Sequence, residues 1–123
     1  MRTLPYLASA LLLAAIGLVD LPVSAGAHPF WSVRVVLIGT PVGLVLAFGA
    51  TTMFKIRFRI ILFAAIAAAA LLAAHFGKAQ FAASYAEDRV AGMVWYYGWI
   101  AAMAGLSALC VAVVQGLILP PRR

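Results

Sequence analysis

Charge is the scarcest commodity in this chain. Only 10% of its residues are Asp, Glu, Lys or Arg, and just three are acids, whereas soluble domains carry about a quarter charged residues. A small water-soluble fold leaves much of its surface exposed, so it has nowhere to hide the 67% of residues that are hydrophobic. Cysteine is nearly missing too: Cys110 stands alone, which excludes an intrachain disulfide. There is no Ser-His-Asp arrangement, no HExxH, no phosphate-binding loop and no CxxC pair, the spacings that hydrolytic, metal and nucleotide chemistry need. Internal repeats and low-complexity linkers are absent as well. Neither an enzyme activity nor a cofactor is expected.

What remains is apolar sequence in long runs. The expected fold is an all-α integral membrane protein, one membrane domain over residues 1–123, built as a four-transmembrane-helix bundle. The spans fall at about residues 4–20, 33–54, 60–76 and 85–119; the first three suit a hydrocarbon layer of about 30 Å, and the fourth is longer than a bilayer needs, so its start projects outside or the helix tilts. Pro22, Gly26 and Pro29 make Leu21–Trp31 an irregular connector, and His75–Val90 a second one. Pro41 should kink the second span, with the hydroxyls of Thr40 and Thr52 satisfying stray backbone groups. Ser84-Tyr85-Ala86-Glu87 has the spacing of a capping box, and Pro120-Pro121 should stop the last helix. The first run has a second reading, a signal peptide cleaved after Ala25-Gly26-Ala27, which would leave three helices. The retained helix is preferred, because the run is long for a signal core and Asp20 would be a late charge.

Orientation follows from the cations. Lys55, Arg57 and Arg59 cluster at the tip between two apolar runs, and a short basic loop reads as cytoplasmic. With both termini cytoplasmic, that side holds Arg2, Lys55, Arg57, Arg59, Arg122 and Arg123. The other holds Arg34, Lys78 and Arg89 with all three acids. The net charge of +6 does not point to nucleic acid, since the cations flank apolar runs and form no basic stripe. The expected location is a bacterial-type inner membrane, with membrane lipids as the first partner and the tip as topology anchor.

Small residues recur every fourth position in three spans: Gly39, Gly43 and Ala47, then Ala65, Ala69 and Ala73, then Ala104, Ala108 and Ala112. Such stripes let another helix backbone approach closely. They point to other membrane subunits or to self-association, and hence to an accessory or assembly subunit or a homo-oligomer.

Chemistry has few footholds. No ionisable group lies near the middle of a span apart from the Cys110 thiol, and Gln115 is read as an interhelical hydrogen-bond partner. A small transporter or channel is the first alternative, with a path lined by oligomerised helices near Thr40, Pro41 and Gln115. The second is a copper site on the outer face from His28 and His75, nitrogen ligands of the right kind, aided by a free amine if cleavage exposes His28. Trp95, Tyr96, Tyr97 and Trp99 read as an interfacial aromatic belt, and Glu87–Arg89 as a capped helix start.

Overall fold

The computed structural model describes residues 2–118, which form helices joined by tight turns, with no strand among them. The Pro120-Pro121 stop and the terminal pair Arg122 and Arg123 lie outside the described residues. Four main helices and one short turn of helix follow in order: α1 (Leu4–Leu18), α2 (Leu21–Ser24), α3 (Ser32–Met53), α4 (Ile56–Ala83) and α5 (Arg89–Ile118). Three of them, α3, α4 and α5, are long and apolar enough to cross a membrane, while α1 is a shorter apolar helix.

The turns explain where the expected boundaries moved. Pro22 does not leave the first connector irregular. It sits in the first turn of α2, where a missing N–H costs nothing. That helix closes at Gly26, whose φ of 114° lets the Ala27 N–H reach back to the Pro22 carbonyl and the Gly26 N–H to that of Val23. At the other end of the bundle α3 and α4 are joined by Phe54 and Lys55 alone. The basic stretch is therefore mostly helix, and Arg59 is corrected from a loop-tip cation to a buried residue of α4.

α4 also runs on past the expected residue 76. Gly77 carries it against α5, where a Cβ would lie 2.7 Å from the Trp95 nitrogen, so the packing face continues to the end of the helix. Its 28 residues span about 42 Å at 1.5 Å per residue, longer than a hydrocarbon core. The turn into α5 uses a different cap from the one the spacing suggests. Ser84 ends α4, the Tyr85 N–H bonds the Ala82 carbonyl and the Ala86 N–H that of Phe81, a Schellman closure with Tyr85 and Ala86 at φ of 56° and 66°. Asp88, not Ser84, caps α5 by accepting the Ala91 N–H at 3.0 Å, and Ser84 Oγ accepts the Asp88 N–H at 2.9 Å.

α5 is the hub. Half of its apolar window is buried, against 33% in α3 and 28% in α4, because α1, α3 and α4 all pack on it while α3 and α4 barely meet. α3 reaches α5 through Gly39 and Gly43. A Cβ on Gly39 would come within 2.6 Å of Met103 Cβ, and one on Gly43 would collide with the Ala104 carbonyl. α4 reaches α5 through glycines on both helices: a Cβ on Gly105 would lie 2.9 Å from the Ala67 nitrogen, and one on Gly98 3.0 Å from Ala74 Cα.

Candidate functional site

Among the described residues, the buried polar side chains of Ser9, Ser107, Arg59 and Gln115 hold helices together. Ser9 and Ser107, both fully buried, link α1 to α5: the Ser9 hydroxyl donates to the Ser107 carbonyl at 2.8 Å and lies 3.0 Å from its hydroxyl. Ser107 Oγ in turn donates to the Thr40 carbonyl of α3 at 3.2 Å. One serine pair thus joins three helices, between an apolar cluster around Leu13, Val35 and Trp99 and another around Ala47, Phe63 and Val111. The Thr40 hydroxyl was expected to mend the backbone near Pro41. It has no hydrogen-bond partner, and the Ser107 hydroxyl bonds the Thr40 carbonyl, not the carbonyl near residue 37 that Pro41 leaves without its N–H.

The second buried contact lies at the Lys55 end. Arg59 donates through Nη1 to Oε1 of Gln115, so the one strongly polar side chain deep in α5 bonds across to α4. A charge-assisted hydrogen bond of this kind between buried groups contributes about 1.5–3 kcal/mol. Of the three tip cations, Lys55 and Arg57 are exposed and Arg59 is buried. Pro41 faces outward on α3, and Gln115 is eight residues along α5 from Ser107, about 12 Å.

The small-residue stripes separate into used and unused faces. Gly39, Gly43 and Ala47 are buried on α5, and Ala104, Ala108 and Ala112 are buried on the other side of that contact. Ala65, Ala69 and Ala73 are exposed. The face of α4 that meets α5 is instead Phe63, Ala67, Ala70, Ala74 and Gly77. In so alanine-rich a helix several fourfold stripes coexist, and Phe63, the one large side chain among them, marks the buried one.

At the opposite end the aromatic residues form a cap. Trp95 donates from Nε1 to the Gly26 carbonyl at 3.1 Å, tying the α2 turn to α5. Trp31 sits edge-on to Trp95 and Tyr96, each with ring centroids 5.2 Å apart, and Phe81 of α4 lies 5.8 Å from Trp95. His28 stacks on Trp31 and meets the edge of Trp95 at 5.7 Å. Its Nδ1 accepts the Phe30 N–H at 3.0 Å, which leaves Nε2 as its outward-facing nitrogen. His75 lies on α4 beside Phe76 and lines a cleft of about 620 Å3 with Lys78, Trp99 and the 24–26 turn. His28 is not among the lining residues, and no cluster of three or more metal-ligating side chains occurs among the described residues.

Sequence reasoning missed Ser9 and Ser107. The signal was present: an isolated serine within an apolar run must find a partner, and two such residues invite pairing. Comparison with family models, with curated proteins and with solved structures finds no match. The class rests on the chain itself: an all-helical protein with three helices able to cross a membrane and a shorter fourth, in the manner of a multi-pass membrane protein.

Proposed function

We propose that this is a small non-catalytic protein of a bacterial-type inner membrane that packs as an accessory or assembly subunit against other membrane chains, or against copies of itself. α1 is retained as a fourth span, and both ends and the Lys55–Arg57 tip face the cytoplasm. What supports α1 as part of the bundle is its seat: Ser9 and Leu13 are fully buried, and removing α1 would uncover Ser107 in an apolar layer. What supports the orientation is the balance of cations between the two ends.

One observation carries the functional reading. The stripe Ala65, Ala69 and Ala73 is smooth and exposed on a helix whose other small face is already filled by α5. Helices in lipid associate by close backbone approach along such surfaces, and here the surface is left open by the described residues. Native mass spectrometry of the full chain, released in mild detergent, tests this. The expected result is a particle heavier than the 13.0 kDa chain, with the added mass lost when isoleucine replaces Ala65, Ala69 and Ala73. A lone chain under all mild conditions would refute it.

A further inference from the structure

The cleft beside Lys78 is shaped for an amphiphile. On α4, Leu71, His75, Lys78 and Ala82 follow one another along one face, at spacings of three and four residues. The polarity is graded along that line. Leu71, with Ala74 and the buried Trp99 behind it, makes the deeper part apolar. His75 and then Lys78 follow, the ammonium lying about 10 Å further along the helix than Leu71. The far wall is the 24–26 turn, and Lys78 Nζ reaches across to it: a Cβ on Gly26 would lie 3.6 Å away. Trp95 holds the ammonium from below, 5.9 Å from its ring centre. No carboxylate pairs with Lys78 among the described residues. Leu71 is itself 42% exposed, so the apolar part of the cleft opens on the outside of the bundle.

From this grading we infer that the cleft holds one anionic phospholipid of the bilayer, its phosphate on Lys78 and His75 and its acyl chain along Leu71, Ala74 and Trp99. The occupant is a lipid and not a soluble anion because Leu71, Ala74, Ala79, Ala82 and Trp99 make most of the lining apolar, with the cation at the end where headgroups lie. The proposal rests on the membrane-spanning reading. A single lysine at a membrane surface enriches anionic lipid about five-fold, and the apolar lining adds to that.

The test uses tryptophan fluorescence of the full chain in phosphatidylcholine vesicles holding a minor fraction of acyl-brominated lipid. Brominated phosphatidylglycerol should quench more than brominated phosphatidylcholine at the same fraction, since Trp99 lines the cleft. The excess should be lost in K78Q, and also in A79F, which fills the cleft, keeps the charge and adds no tryptophan. It should persist in K78R and in R89Q, whose arginine lies outside the cleft. Circular dichroism confirms that each variant is folded. Equal quenching by the two lipids in the wild type would overturn the lipid site while leaving the chain in the membrane. Quenching by neither lipid would overturn the membrane reading itself. Loss of the excess on adding inorganic phosphate would assign the cleft to a free anion, and so overturn the lipid proposal.

Discussion

Substituting alanine for Gly43 should do more damage than any other single methyl group added to α3. The added Cβ would collide with the Ala104 carbonyl and lie 2.7 Å from Ser107 Cβ. Neither is the end of a flexible side chain, so no rotamer change relieves the clash and the two helices must part by about 1 Å. Overpacking of this kind costs about 1–3 kcal/mol. The same displacement stretches the 3.2 Å bond from Ser107 to the Thr40 carbonyl, and such bonds in membranes are worth about 0.6 kcal/mol on average. Helix propensity works the other way, favouring alanine by about 1 kcal/mol, so a net loss of about 0.5–2.5 kcal/mol is expected. Gly49 supplies the internal control: it lies on the same helix with nothing within 4 Å of an added Cβ, so G49A should be neutral or slightly stabilising. Reversible unfolding in mixed micelles, followed by tryptophan fluorescence, measures both. Equal stability of G43A and G49A would refute the claim that α3 and α5 meet backbone to backbone.

Other perturbations follow from the same contacts. Q115L should cost about 1.5–3 kcal/mol in that assay, because it removes the buried acceptor of Arg59. S9A should cost no more than about 2 kcal/mol but should loosen α1, seen as faster proteolysis near residue 20, since Ser9 ties α1 to Ser107. A86G should stabilise the chain by about 1 kcal/mol, because Ala86 has φ of 66°, a conformation that burdens residues with a Cβ. A69I should leave single-chain stability within about 0.5 kcal/mol, as exposed positions usually do. A67I on the buried face, against Gly105, should lower it by about 1–3 kcal/mol.

The helical class and most helix centres were legible in the sequence because they depend on runs of apolar residues, and a lipid solvent makes such runs unambiguous. The ends were less so. α4 overran its expected stop because the face through Gly77 keeps packing on α5, and a continuing contact outweighs the local appearance of a polar connector at His75–Lys78. The spacing from Ser84 to Glu87 suggested a capping box, yet the Schellman closure of α4 claimed Ser84 first and left Asp88 to start α5. Arg59 looked like a loop residue because charge in a membrane protein usually marks a turn. Gln115, fifty-six positions away, made its burial possible, and a pairing that distant leaves no local trace. The stripe on α3 was readable because glycine is rare enough there to be specific. On α4, where alanine fills nearly every position, periodicity alone does not say which of several small-residue stripes meets α5.

The proposed role as a packing subunit requires the exposed stripe of α4 to meet another protein. A photo-crosslinking side chain at position 69, activated in intact membranes, tests this most directly, with position 67 as the inward-facing comparison. Adducts heavier than one chain should form from 69 and not from 67. If positions 65, 69 and 73 all yield only single chains labelled by lipid, that face is a lipid surface, and the proposed role as a packing subunit fails.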